Sequence, residues 1–207
     1  MMISSMQFIA GSAWLAVLLL WSGWAPFDRT TWLLEIFPVL LVWPLLWRSR
    51  QSYPLTPLLY SLILLHAAVL ILGGAYTYAR VPLGFWLMDW FALDRNPYDK
   101  IGHLMQGFVP VLAAREILLR GSYVQGKKML QFLLLCIVLA ISAGYELIEW
   151  AAAVMLGQGA DEFLGTQGYA WDTQADMAFA LLGALLALLL LSRWHDRQLG
   201  QLASSDV

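Results

Sequence analysis

Six apolar runs, each close to the roughly 20 residues a helix needs to cross a bilayer core, constrain this chain more than any other feature. They extend over about Phe8 to Trp24, Trp32 to Trp47, Pro57 to Tyr78, Lys100 to Leu119, Leu130 to Leu156 and Trp171 to Ser192. Hydrocarbon offers no water to an unpaired amide or carbonyl, so runs of this length must close their hydrogen bonds internally as helices. The expected fold is therefore all-α, a polytopic membrane bundle of about six transmembrane helices. The first two runs are short enough to lie nearly upright or to be partly re-entrant.

Composition excludes the main alternative. The chain is 60% hydrophobic and 13% charged, with a mean hydropathy of +0.67, whereas a soluble domain is about a quarter charged. No polar stretch is long enough to bury a second core, so residues 1–207 read as a single integral membrane domain. A formal charge of −2 gives no basic field, which argues against a nucleic-acid partner. The lone Cys136 sits in an apolar run, so neither an internal disulfide nor a thiolate metal site is available.

The first run has no Lys or Arg before Arg29 and no small-residue cleavage pattern after it, so it reads as an uncleaved anchor. With both termini cytoplasmic, eight basic residues fall inside: Arg48, Arg50, Arg115, Arg120, Lys127, Lys128, Arg193 and Arg197. Four fall outside: Arg29, Arg80, Arg95 and Lys100. The positive-inside bias thus favours cytoplasmic termini. The stretch from Arg80 to Pro97 then lies outside, and its Trp, Leu and Asp residues suit a segment resting along the interface, with a plain connecting loop as the alternative.

This orientation gathers the acids. Asp99, Lys100 and His103 begin the fourth run, Glu146 and Glu149 lie in the outer half of the fifth, and Asp172 and Asp176 open the sixth. Glu35 falls at the same level, whereas Glu116 lies at the inner end of the fourth run. The spacings i,i+4 for Asp99 and His103, i,i+3 for Glu146 and Glu149, and i,i+4 for Asp172 and Asp176 place each pair on one helix face.

Carboxylates at such depth persist only when they face a bundle interior or a wet cavity and find partners. Mutual repulsion calls for a cation. Oxygen ligands with one His and no thiolate suit a divalent ion such as Mg, Mn, Ca or Zn. The expected site is therefore a metal held by Asp99, His103, Glu146, Glu149, Asp172 and Asp176, in which Glu149, His103, Asp176 and Lys100 carry catalysis and Lys100 orients an anionic group. Purely structural ion pairing between helices is the competing account, and helix capping would explain Asp99 and Asp172 alone. His66, isolated in the third run, reads as an interhelical hydrogen-bond donor and is left out of the site. The stretch Gly157 to Gly168, with Asp161 and Glu162, reads as a flexible connection or a cap over the acids; its glycine spacing does not fit a phosphate loop.

The segments YDKIGHLMQGFVPVLAAREILLR, YELIEW and DEFLGTQGYAWDTQADMAFALLGAL together resemble the YjdF family of bacterial inner-membrane proteins, whose function is uncharacterised. The resemblance covers nearly the whole chain and implies a multipass protein of the bacterial inner membrane. A more distant similarity is to VanZ-like membrane proteins, through Asp99-Lys100-x-x-His103, Glu146 to Glu149, and Asp172 to Asp176 with Gly183 beyond. Ala180 stands where that pattern has Asn, and the basic residue before its last Asp is absent. The cell-envelope association of VanZ implies an envelope setting. The resulting expectation is a metal-dependent hydrolase or transferase acting on a lipid-linked or amphipathic envelope substrate at the periplasmic face. A proton- or cation-coupled transporter and a non-catalytic scaffold are the alternatives.

Overall fold

The computed structural model describes residues 3–156 and 167–205. Among them the regular structure is entirely helical: α1 (Ser5–Trp24), α2 (Arg29–Ser49), α3 (Pro57–Tyr76), a 3-10 turn (Tyr78–Arg80), α4 (Pro82–Phe91), α5 (Tyr98–Arg120), α6 (Lys127–Leu156) and α7 (Asp172–Ser205). Asp161 and Glu162, suggested as part of a cap, lie outside the described residues.

Local chemistry sets the helix starts. Ser4 and Gln7 form a reciprocal capping box on α1. Asp28 accepts the Thr31 amide at 2.7 Å to open α2, and Thr56 caps α3 with Pro57 in the first turn. The start of α5 departs from expectation. Asn96, not Asp99, accepts the Tyr98 amide, at 3.0 Å, and both Asp99 oxygens turn to side chains instead. The Asn96 carboxamide also donates to the Val81 carbonyl at 3.0 Å, while the Asn96 backbone N–H and C=O exchange two hydrogen bonds with the Gln167 side chain, so this one buried residue ties the start of α4, the start of α5 and the chain entering α7 together.

Five helices, α1, α2, α3, α6 and α7, are long and apolar enough to cross a membrane. The sixth expected crossing, α5, has the length: 23 residues rise about 34 Å. It carries Asp99, Lys100, Arg115, Glu116 and Arg120, all tolerated because this helix packs against α3, α6 and α7 instead of facing lipid. The chain alternates direction, so the described ends of α1 and α7 lie at the same end of the bundle. Helix α7 runs well past Ser192, where the sixth apolar run was expected to end. Its polar extension packs His195 and Leu202 out of solvent and sets Gln198 against the start of α3.

The closest helix crossing joins α5 to α7. A Cβ on Gly107 would fall on the Ala180 carbonyl, and one on Gly183 would fall on the Leu104 carbonyl. Ala180, Ala184 and Ala187 are fully buried in the same seam. Small residues at such a crossing let two backbones touch, which is how helices gain packing energy where lipid is as apolar as the protein.

The interfacial segment proves to be a helix. With ten residues, α4 rises only about 15 Å, too short to cross. It exposes Leu83, Phe85, Trp86, Trp90 and Phe91, a face suited to the headgroup boundary. A spin label at Trp90→Cys, in a Cys136→Ser background, should be relaxed by oxygen more than by a water-soluble nickel chelate. The reverse order would show α4 standing in water.

Candidate functional site

All seven expected site residues converge at the end of the bundle formed by the starts of α5 and α7 and the last turns of α6. Lys100 lies at the centre of the aspartates, its Nζ 2.6 Å from Asp176 Oδ1, 2.7 Å from Asp172 Oδ1 and 3.1 Å from Asp99 Oδ2. Arg95 adds a second cation, 2.7 Å from Asp172. Lys100 therefore spends its donors on carboxylates and does not line the cavity described below. The expected contact with an anionic group is not available in this arrangement.

His103 lies beside the same acids. Its Nε2 is 3.4 Å from Asp99 Oδ1 and 3.7 Å from Asp176 Oδ1, and its Nδ1 is 3.2 Å from Gln106 Oε1. An amide oxygen only accepts, so Nδ1–H donates and Nε2 points at two carboxylates. A bare Nε2 lone pair there would meet only negative charge, so this nitrogen requires a proton or a metal ion. Ligand atoms of Asp99, His103 and Asp176 lie within 4.8 Å of one another, close enough to share one ion.

Glu146 and Glu149 join from α6 without comparable partners. Glu146 is 9% exposed, and its Oε1 has no hydrogen-bond partner among the described residues. It approaches His103 Nδ1 only to 4.0 Å. Glu149 is 8% exposed and forms no hydrogen bond or ion pair among the described residues. Counting Glu35, six carboxyl groups gather around two permanent cations, Lys100 and Arg95.

A cavity of about 360 Å³ begins at these groups. Asp99, His103 and Glu149 line its polar end together with Glu35, Tyr78 and Tyr145, and side chains of α2, α3, α5 and α6, apolar apart from His66 and Gln106, form the rest. Tyr145 donates to Glu35 Oε2 at 3.2 Å, bridging α6 and α2. Burial pushes the Tyr78 phenol well above its usual range, so it remains a neutral donor. Pro38 of α2 and Pro110 of α5 both line the cavity. Each lacks the amide that would bond the carbonyl four residues back, which loosens the helical ladder along the cavity wall.

Sequence reasoning did not assign Glu35, Tyr145 or His66 to the site. His66, expected to be hydrogen-bonded between helices, lines the cavity with its buried Nε2 unpartnered among the described residues. Its isolation in an apolar run was the available signal.

A second buried cluster occupies the opposite end of α5. Glu116, fully buried, accepts from Thr56 Oγ1 at 2.9 Å, pairs with Arg120 at 3.0 Å and faces His195 Nε2 at 3.0 Å. Arg115 lies 3.3 Å from His195 Nδ1 and 2.6 Å from Asp196. Arginine only donates, so Nδ1 accepts and Nε2–H donates to Glu116, a neutral tautomer. Two acids then balance two arginines, and no charge is left over for a ligand.

These features define a polytopic membrane bundle built around one polar-ended cavity. The chain belongs to the family of predicted membrane proteins designated DUF2238, which it matches over residues 8–197. It is 59% identical to the inner membrane protein YjdF of Escherichia coli (strain K12) over 185 residues, 89% of this chain and 88% of that protein. These findings bear out the YjdF resemblance and a multipass inner-membrane protein, and they lend no support to the VanZ-like one. No solved structure matches the chain.

Proposed function

We propose that this protein is a metal-dependent hydrolase or transferase acting on an amphipathic or lipid-linked envelope substrate, with its site at the periplasmic face. The observation that carries the reading is the junction of a three-ligand cluster, Asp99, His103 and Asp176, with the polar end of a mostly apolar cavity. The excess of basic residues at the opposite end supports placing the acids outside. A divalent ion held by the three ligands would supply Lewis acidity and lower the pKa of a bound water. Glu149, lining the cavity with no partner among the described residues, would take a proton from an attacking water or hydroxyl. Glu146 and Asp172 complete the negative field, and Lys100 orients Asp99, Asp172 and Asp176.

Elemental mass spectrometry of purified protein should find close to one divalent ion per chain. Asp176→Asn should lose the ion while eluting as an intact bundle, and Glu149→Gln should keep it. A metal-replete preparation of intact protein carrying no ion would defeat the proposal.

The transporter reading gains from one observation: Lys100 already gives Asp99, Asp172 and Asp176 a resident cation, as a proton-relay site would. The scaffold reading would gain if each acid-to-amide change simply unfolded the bundle.

A further inference from the structure

The cavity walls carry information about the substrate beyond the reaction class. Along α5 the lining extends from Asp99 to Ala113, a rise of about 21 Å, which exceeds the roughly 15 Å of hydrocarbon in one leaflet. Spread over that length, a cavity of about 360 Å³ is long and narrow, with room for an extended chain. The cavity is therefore a slot.

Its mouth faces lipid. Val42 of α2 and Ile141 of α6 both line the slot and are 37% and 42% exposed. Helix α2 packs on α3, and α6 packs on α5 and α7. Tyr145 and Glu35 link the two across the polar end of this seam.

The head of the slot has a definite charge preference. Lys100, Arg95 and His103 Nε2 are committed to the aspartates, while Glu35, which accepts from Tyr145, and Glu149 look into the slot, Glu149 more than nine-tenths buried and unpartnered among the described residues. A buried carboxylate without a partner is costly until a cation or donor reaches it. We propose that the slot binds a single-chain amphiphile with an ammonium head, entering from the bilayer between α2 and α6, with the head on Glu35 and Glu149. This rests on reading the cavity as the substrate site, and it names the substrate class.

The test uses the full chain in maltoside micelles with two photoactivatable probes of identical chain length, one ending in a primary ammonium and the other in a phosphate. Labelled peptides are located by mass spectrometry, with and without a metal chelator. The ammonium probe should label α5 around Val109 to Ala113 at least about tenfold more than the phosphate probe, since an ammonium brings the carboxyl groups the donors and counter-charge they lack and a phosphate brings a further anion. The double change Glu35→Gln, Glu149→Gln should bring the two probes near parity. Val42→Trp with Ile141→Trp should suppress labelling, and Val42→Ala with Ile141→Ala should preserve or raise it, which keeps entry testable if the bulky pair fails to fold.

Equal or better labelling by the phosphate probe would overturn the proposal, as would an α5 label unaffected by plugging the mouth in folded protein. A phosphate preference that appears only with an ion bound would overturn it while supporting the metal centre. An ammonium preference in protein that binds no ion would uphold it and leave the enzyme reading without its metal.

Discussion

Gly183→Val should be among the most damaging single substitutions in this protein, lowering stability by roughly 1–3 kcal/mol or more. Even the first added carbon would fall on the Leu104 carbonyl, which is backbone and cannot swing aside as a flexible side chain could. Helices α5 and α7 must separate, and their separation reaches the site, because Lys100 on α5 holds Asp172 and Asp176 on α7 at 2.7 and 2.6 Å. Metal binding and slot labelling should therefore fall together with the melting temperature. Gly144→Ala is the control. A Cβ there meets nothing within 4 Å, and replacing a helix-interior glycine by alanine gains about 0.5–1 kcal/mol. Thermal unfolding followed by size-exclusion chromatography separates the two cases. Equal melting of Gly183→Val and wild type would mean that the α5–α7 seam has slack.

Glu116→Ala should cost about 3–5 kcal/mol, the range for breaking a buried charge network from one side. Its carboxylate serves Thr56, Arg120 and His195 at once, and its loss strands the buried donors of Thr56 and His195. Glu116→Gln should cost less, because it keeps an acceptor oxygen of the same reach. Thr56→Val and Glu116→Ala should be strongly non-additive in a double-mutant cycle, since they share the hydrogen bond that closes the start of α3. Additive effects would show that the cluster does not act as one unit. Metal content per folded chain should not change, which separates this structural knot from the acid site at the other end of α5.

The contrast between the two ends of α5 explains why one is read as a site and the other as a clamp. At Glu116 every polar atom has a counterpart and the charges cancel. Among the described residues Glu146 Oε1 and the Glu149 carboxylate have no such counterpart, and Glu149 faces a cavity. Burial of charge alone does not distinguish the cases; the presence of unpartnered groups facing space does.

Much of this was legible in the chain. Hydrophobic run length set the type and approximate place of the six long helices, though not the short α4, because a helix closes its own hydrogen bonds at a fixed rise per residue. The i,i+3 and i,i+4 spacings put the acids of each helix on one face, and strict alternation across the membrane put those faces at one level. That much requires no knowledge of neighbours.

Which helix meets which was decided only by the tertiary structure. Nothing local to His66, Glu35 or Tyr145 reveals that α2, α3 and α6 enclose one slot against α5. The extension of α7 past Ser192 was hidden because most of its residues are polar and exposed, and His195 and Gln198 find their partners only on α5 and α3. Asp99 could have been a cap until Asn96 took that role and Lys100 claimed one of its oxygens. Periodicity tells a helix which face to hide. The partner of that face depends on close approach through space, as where Gly107 meets Ala180, and distances of that kind belong to no single segment of the chain.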